Sequence, residues 1–466
     1  MLKKPNIIFV MLDTLRADYL DIYGGWVKTK AIRELAANGT LYENAISDGT
    51  YTLTSHASLF TGNRVRSMKQ FLEDPMKKDP NVNYFAVKYL DDKTPTLAKV
   101  LSYLGYSSSL FSNNALVSRV TGLAGGFSYV HEFKLHEEKQ TIRQAVVRAL
   151  AGSKIRDLLV SSTANLPLPK PIVDMLVKAY IKELGGAQFL AHSKRLDTGA
   201  RETNIAIRKY FDGANPNNNF LFINYIEAHE GYPTEKGVEQ NRWLYLTDET
   251  DLRQIDALKK GYEQRIKYID AKVGELLKSL KERGILDDAV VIIGSDHGQA
   301  FLEHDLMYHG MFPYNDVSRV PLVIARFVGG KQVRRTKVVK DTVAISALYN
   351  HIIGIASGKL APDAEVKCAR FVFSDHTGTD IFNPNDVSQI KALKYKSDYL
   401  NRLFEIKKHH NTFATAVYYK NLKLIHFFGN GMDDVMFDVE KDKHEKHNII
   451  SHHKEIARMM ARAAKE

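Results

Sequence analysis

The chain has 466 residues, of which 44% are hydrophobic and 26% charged, and it carries a formal net charge of +11. A single cysteine excludes a disulfide framework, and no apolar run approaches the roughly 18 residues that a membrane span requires, so we expect a cytoplasmic protein without a transmembrane segment. The positive charge favours small anionic substrates. Because the basic residues are spread along the chain without a nucleic-acid-binding pattern, we expect no specific nucleic-acid partner.

Two apolar runs typical of buried parallel strands end in acidic residues. NIIFVMLDT (6–14) stops being apolar at Asp13, and VVIIGSDHGQ (290–299) stops at Asp296 and His297. Open α/β sheets bind their ligands beyond the carboxyl ends of the strands, so this pattern favours a metal site built from these side chains. The alternative is that each carboxylate caps a following helix.

Helical patterns lie between the predicted strands. TYTLTSHASLFTGN (50–63) indicates a helix start rich in hydroxyl groups, and PTLAKVLSYLGY (95–106) and DAKVGELLKSLKERG (270–284) have the periodicity of amphipathic crossover helices. Strands that alternate with such helices predict an α/β fold, in which a mixed, largely parallel sheet lies between layers of helices.

The chain divides into two predicted regions. Residues 1–355 carry the sheet and every candidate ligand, with a helical insertion at about 135–195. We interpret the insertion as a helical cap over the sheet; a substrate lid, a contact between copies in a homo-oligomer and a membrane-surface anchor are the alternatives. Residues 360–466 contain strand-like pieces and a terminal helical pattern, which predict a small antiparallel sheet in a C-terminal α+β subdomain. Asp375 and His376 there are interpreted as part of a loop that shapes the pocket.

Several sequence blocks occur in the order found in a known family. The chain resembles the sulfatase branch of the alkaline phosphatase superfamily, and the resemblance implies that superfamily's fold and the hydrolysis of an ester. The blocks are DTLRADYLDIYGG (13–25), TLTSHASLFTG (52–62), GYSSSLFSNN (105–114), NYIEAHEGYP (224–233), SDHG (295–298), HGMFPYNDVSRVPLVI (309–324) and VMFDVEKDKHEKHNI (435–449).

The nucleophile position departs from the sulfatase pattern. In sulfatases it opens a Cys-x-Pro-Ser-Arg motif whose Cys, sometimes Ser, is oxidised to formylglycine. Ten residues before Gly62 this chain has Thr52 instead, with Thr54 in place of Pro and His56 in place of Arg, so we expect no formylglycine. Thr nucleophiles occur in the phosphodiesterase, phosphoethanolamine-transferase and lipoteichoic-acid-synthase relatives. The resemblance therefore implies Thr52 as the nucleophile and a preference for phosphorus esters.

The same resemblance implies one divalent metal ion. Its ligands would be Asp13, Thr52, Asp296 and His297, a mixed oxygen and nitrogen set of tetrahedral count. Sulfatases usually have two adjacent Asp in the first motif, which suit calcium, whereas here Thr14 follows Asp13. Losing one hard carboxylate while gaining an imidazole favours zinc or manganese, with calcium or magnesium as alternatives.

Further polar residues are expected to bind the substrate. By motif position, His229, His309, His56 and Asn113 would bind the transferred group, and one of the histidines would protonate the leaving oxygen. His304 is a further candidate for substrate binding or, with His229 and His309, for a second metal ion. We favour a single ion.

The predicted function is metal-dependent hydrolysis of phosphate, phosphonate or sulfate esters, with phosphorus esters preferred. One alternative is transfer of the phosphoryl group to an alcohol acceptor, and another is hydrolysis of sulfuric esters without formylglycine. A third, from a different class, is an inactive protein that keeps the fold and the metal. The presence of Asp13, Thr52, Asp296 and His297 argues against the last of these.

Overall fold

The structure is a computed structural model that describes residues 4–68, 88–132, 195–212, 217–234, 238, 252–377, 413–428 and 432–466. The predicted helical insertion at about 135–195 lies almost entirely outside the described residues. In the described part of the chain, no helix combines the length and apolar character needed to cross a bilayer.

The described strands are β1 (Asn6–Leu12), β2 (Thr40–Ile46), β3 (Ser107–Ser112), β4 (Tyr129–Glu132), β5 (Asn219–Tyr225), β6 (Asp288–Gly294), β7 (Ala300–Phe301), β8 (Met307–Tyr308), β9 (Arg319–Val328), β10 (Lys331–Gln332), β11 (Lys337–Ala344), β12 (Val372–His376), β13 (Phe413–Tyr419), β14 (Leu422–Phe428) and β15 (Val435–Asp438). Nine of them form the central sheet, with strand order β11-β2-β9-β6-β1-β5-β3-β4 and β10 added beside β9. The pairs that involve β9 are antiparallel and the other neighbours are parallel, which confirms the predicted mixed, largely parallel sheet.

Helices cover both faces of this sheet, which confirms the predicted sandwich. The described α-helices are α1 (Lys30–Ala37), α2 (Thr52–Thr61), α3 (Leu97–Tyr103), α4 (Ala200–Phe211), α5 (Leu252–Glu282), α6 (Asn315–Ser318), α7 (Ala347–Ala356) and α8 (Lys454–Lys465). The side chains of β1 alternate between two cores: Ile8 and Val10 pack with α1, α4 and α5, whereas Ile7 and Phe9 pack with α2, α3 and α7. Because both faces are buried, β1 and β6 are continuously apolar after their first residue.

A four-stranded antiparallel sheet in the order β12-β13-β14-β15 follows the main sheet in the chain. Helix α8 packs on it through Ala457 and Met460, which contact Val417 and Leu424 in one apolar cluster. The small antiparallel sheet and the terminal helix are therefore present as predicted. The division of the chain between 355 and 360 stays a prediction.

Arg64, which follows α2, connects the main domain with the small antiparallel sheet and helix α8. Its guanidinium donates to both carboxylate oxygens of Asp375 on β12, at 3.1 Å each, and also to the backbone carbonyls of Ala463 and Ala464 at the end of α8. The Asp375 side chain is only 2% exposed. A planar guanidinium has enough donors to bind a carboxylate and the free carbonyls of a helix C-terminus at the same time. The ammonium group of a lysine has fewer donors and is less suited to both contacts.

Because of these contacts, we expect the loss of the Arg64 side chain to lower the stability of the protein. Arg64→Ala should lower the free energy of unfolding by about 2–3 kcal/mol, because it removes the cationic partner of a buried carboxylate, which then keeps the Arg66 backbone N–H and the Thr415 hydroxyl as donors. Urea denaturation followed by circular dichroism measures this change. The matched control is Arg33→Ala, which removes a side chain that is 48% exposed beside Asp21 and should lower the free energy of unfolding by less than about 1 kcal/mol. Equal losses in the two variants would contradict the role given to Arg64.

Candidate active site

The pairing of β1 with β6 sets the position of the two predicted acidic ligands. The strands are parallel and place Met11 opposite Gly294. Asp13 and Asp296 each follow two residues later, so their side chains emerge next to each other at the carboxyl edge of the sheet. Both are fully buried.

Asp13, Asp296 and His297 lie together, as the sequence predicts. One ligand atom from each lies within 4.8 Å of the others. The Nε2 of His297 is 3.5 Å from Asp296 Oδ2 and 3.9 Å from Asp13 Oδ1. The Nδ1 of His297 lies 3.0 Å from the Gly298 carbonyl, to which it can only donate, so Nε2 presents a lone pair to the two carboxylates. Burial lowers the pKa of His297, which keeps the ring neutral.

This group of side chains fits a bound cation. Asp13 Oδ1 and Asp296 Oδ2 have no hydrogen-bond partner among the described residues, although both are buried. Burial raises the pKa of each carboxyl to about 7, and for Asp13 the charge of Asp296 adds to the effect. Two carboxylates and an imidazole that face one another are a typical zinc ligand set, and a divalent cation would offset the cost of burying the charges.

Thr52 is the first residue of α2, and its hydroxyl lies at the edge of this group. Thr52 Oγ1 is 3.4 Å from His297 Nε2 and accepts a hydrogen bond of 3.3 Å from Asn114 Nδ2. The same Asn114 Nδ2 donates to Asp13 Oδ2 at 2.7 Å. The Leu116 backbone donates to Asn114 Oδ1, which fixes the amide so that its NH₂ group faces the site.

Asn114 therefore contacts Thr52 and Asp13, whereas the sequence predicted Asn113 at the site; a contact of Asn113 with the transferred group stays a prediction. The side-chain oxygen of Asn113 instead accepts a hydrogen bond of 2.8 Å from Thr203 Oγ1 on α4. Both residues follow β3, and their side chains leave the backbone in different directions. Two consecutive asparagines signal a polar strand end, but the spacing from Gly105 does not decide between them.

His56 lies behind Thr52, one helical turn along α2. Its Nδ1 is 2.9 Å from the Thr52 carbonyl, and its Nε2 is 3.1 Å from Asn224 Nδ2. Burial lowers its pKa to about 3, so the ring is neutral. Both ring nitrogens have contacts within the protein, and Nδ1 is also 3.6 Å from Asp296 Oδ2. A contact of His56 with the transferred group stays a prediction. Its contacts support a role in positioning the start of α2.

His229 and His309 lie together on the more open side of the site. Their ring centroids are 4.8 Å apart, and the ring of His309 is 4.5 Å from that of His297. Glu230 joins them and completes a second group whose ligand atoms lie within 4.8 Å of one another. Their side chains are 10% and 13% exposed, and that of Glu230 is 23% exposed. The sequence placed both histidines at the site but not Glu230.

Burial alone would lower the pKa of His229, but the charge of Glu230, with Asp13 and Asp296, raises it to about 9. The ring is therefore an imidazolium at neutral pH. It can neutralise negative charge or donate a proton.

His304 has a different neighbourhood from the other predicted site residues. Its ring stacks on Tyr314 with centroids 3.7 Å apart, and its Nε2 is 3.9 Å from Asp316 Oδ2. The backbone of His304 has a positive φ of 53°, which turns the chain here. The contacts described for His304 include none with Asp13, Thr52 or His297, and the second group of possible metal ligands has Glu230 in place of His304. A substrate contact of His304 stays a prediction.

The chain is similar along most of its length to known sulfatases. Residues 5–358 match the model of the family described as Sulfatase. An arylsulfatase of Clostridium perfringens is 20% identical over 96% of this chain and 90% of its own length.

Two solved structures show the same fold. The phosphonate monoester hydrolase of Agrobacterium radiobacter has a TM-score of 0.62 at 16% identity, over 99% of this chain and 94% of its own. A protein solved with its substrate D-glucosamine-2-N,6-O-disulfate has a TM-score of 0.63 at 13% identity, over 99% and 98%. Because the sulfatase match extends over residues 5–358, the protein belongs to the sulfatase family of ester hydrolases.

Proposed function

We propose that this sulfatase-family hydrolase cleaves phosphate diesters or phosphonate monoesters, with Thr52 as nucleophile and one divalent metal ion at Asp13, Asp296 and His297. The observation that carries the proposal is the place of Thr52 Oγ1. It lies at the N-terminus of α2, 3.4 Å from His297 Nε2, in the group of side chains where one oxygen of Asp13 and one of Asp296 have no hydrogen-bond partner among the described residues.

The surroundings of Thr52 support its role as nucleophile. A threonine hydroxyl is a weak nucleophile until a base or a metal ion activates it. When bound, a divalent cation would stabilise the ionised hydroxyl and neutralise charge on the transferred group. The backbone N–H groups at the start of α2 favour an anion at the same place. Asn114 holds the hydroxyl through Nδ2, the same group that donates to Asp13.

The reaction would proceed in two displacements at phosphorus. In the first, Thr52 Oγ1 bonds to phosphorus as the bond to the leaving oxygen breaks, and one of the histidines on the open side, His229 or His309, binds the transferred group and protonates that oxygen. In the second, water bonds to phosphorus and the bond to Thr52 breaks. The hydrolysed acid then leaves, and the threonine is restored.

Two features favour phosphorus over sulfur. A formylglycine hydrate can expel sulfate by collapsing to the aldehyde, but a threonine ester must be opened by attack at the central atom, which phosphorus tolerates better. The buried His56 is neutral where the sulfatase pattern has a charged Arg, so one fixed positive charge is missing near the anion. The names of the relatives favour a second candidate, hydrolysis of sulfuric esters without formylglycine.

The first test removes the nucleophile. Thr52→Ala should lower turnover at least about 10³-fold while the fold is retained, because the attacking oxygen is lost from a cooperating set. Thr61→Ala, at the other end of α2, is the matched control and should change turnover by less than about threefold. If the Thr52 variant works within about tenfold of the parent, Ser55 becomes the candidate nucleophile.

A second test concerns the metal. After dialysis against Zn²⁺, elemental analysis should find bound metal in the parent and a large loss in Asp296→Asn, because the variant lacks one charged oxygen ligand. Zn²⁺ should also raise the melting temperature of the parent more than that of the variant. The control is His304→Asn, which should keep its metal. Metal retained in Asp296→Asn and lost in His304→Asn would place the ion elsewhere.

The third test compares substrates. With p-nitrophenyl esters, a phosphate diester or a phosphonate monoester should be hydrolysed at least about 10²-fold faster than the sulfate, a difference of about 2.7 kcal/mol in barrier. The reason is that water must open the threonine ester at the central atom. Faster hydrolysis of the sulfate would favour the sulfuric-ester alternative, even with the same metal ligands.

A further inference from the structure

The carboxylate of Glu230 lies between the two histidines of the open side. Its Oε2 is 3.0 Å from His229 Nδ1 and 3.3 Å from His309 Nδ1. The Nδ1 of His309 is also 2.8 Å from Gln299 Oε1. His309 Nδ1 can thus donate to Gln299 Oε1, and the Nδ1 atoms of both rings lie beside the carboxylate of Glu230. The nitrogen through which either ring exchanges a proton with a substrate is consequently Nε2.

Glu230 is itself held by Gln299. The amide of Gln299 donates to Glu230 Oε2 at 3.3 Å and to the hydroxyl of Tyr232 at 2.7 Å. The backbone carbonyl of Gln299 accepts a hydrogen bond of 2.9 Å from Arg16, a fully buried guanidinium that also binds Asp316. Hydrogen bonds thus connect Arg16 in the interior, through Gln299, to Glu230 and the two imidazoles.

We propose that Glu230 is the positioning residue of the acid side of the reaction: its carboxylate holds His229 and His309 with Nδ1 turned toward the protein, so that Nε2 of His229 can donate to the leaving oxygen. This inference rests on the proposed function and deepens it. His229 has the shorter contact with Glu230, at 3.0 Å, whereas His309 lies 3.3 Å from Glu230 and 2.8 Å from Gln299 Oε1.

The proton balance of the cycle follows. Thr52 enters as the ionised hydroxyl. As its bond to phosphorus forms and the bond to the leaving oxygen breaks, the Nε2 proton of His229 moves to that oxygen, and a neutral alcohol departs. Neutral His229 then takes a proton from the attacking water as the Thr52–phosphorus bond breaks. This restores the imidazolium and the ionised threonine.

A good leaving group needs little protonation, and a poor one needs much, so leaving groups of different acidity reveal proton donation. Glu230→Gln keeps the size of the side chain but removes the charge. It should lower kcat/KM about 10²-fold for a phosphate diester with a phenoxide leaving group and less than about threefold for one with 2,4-dinitrophenoxide. Glu230→Asp, which keeps the charge, should recover part of the loss on the phenyl ester.

Two controls make the result specific. Glu263→Gln removes an exposed carboxylate on α5 that binds Trp26, and it should leave kcat/KM for both esters unchanged. The zinc content of Glu230→Gln should equal that of the parent, because the primary ligands are intact. Equal losses on the two esters would overturn the proposal, since a general structural defect does not depend on the leaving group. Loss of bound zinc would overturn it too, because Glu230, His229 and His309 would then act as metal ligands.

The comparison does not depend on which residue is the nucleophile. If Thr52→Ala abolishes turnover and Glu230→Gln lowers kcat/KM equally for both esters, the role of Glu230 is wrong and Thr52 remains the nucleophile. If Glu230→Gln lowers kcat/KM selectively for the phenyl ester and Thr52→Ala stays active, the role of Glu230 stands and the assignment of the nucleophile is wrong.

Discussion

The site is organised by two carboxyl groups that are buried side by side. Asp13 and Asp296 follow adjacent parallel strands at the same register, so the backbone hydrogen bonds of the sheet fix their separation. Two buried like charges repel each other and lose hydration, and neither proton uptake nor the surrounding donors fully remove this cost. A divalent cation held between them would do so, which would account for the two oxygens that have no hydrogen-bond partner among the described residues.

The other site residues surround the two carboxyl groups, some in the interior and some nearer the surface. His297 and Asn114 lie in the fully packed interior, where they orient a lone pair and an amide toward the carboxylates and Thr52. His229, His309 and Glu230 lie on the more exposed side, where a substrate can enter and a leaving group can depart. In the proposed reaction, the interior residues would stabilise charge and the more exposed residues would exchange protons, and the replacement of an ester oxygen at phosphorus needs both.

The sequence predicts those parts of the site that depend on the sheet. Asp13, Asp296 and His297 could be found because continuous apolar runs mark buried parallel strands, and the ends of such strands meet. Residues in irregular segments could not be placed in the same way. Asn114 replaced Asn113 because the backbone direction after β3 is set by a local turn rather than by a repeat.

The remaining differences have equally local causes. His304 points away because its own backbone turns through a positive φ, and α5 extends from Leu252, well before the predicted start, because its buried positions continue in that direction. Glu230 belongs to no sequence pattern that indicates a function, since a glutamate in a loop is usually solvated. Only the folded chain brings it between its neighbour His229 and the distant His309.

The central claim is that Thr52 forms a covalent ester with the transferred group. Its most direct test is acid quenching of the metal-loaded enzyme during steady-state turnover of a slow phosphate diester or phosphonate monoester, followed by peptide mass spectrometry. We expect the peptide that contains Thr52 to carry the transferred group on that residue, and the adduct to disappear when substrate is exhausted. An adduct on another residue, or none under conditions in which hydrolysis of the adduct limits the rate, would contradict this account.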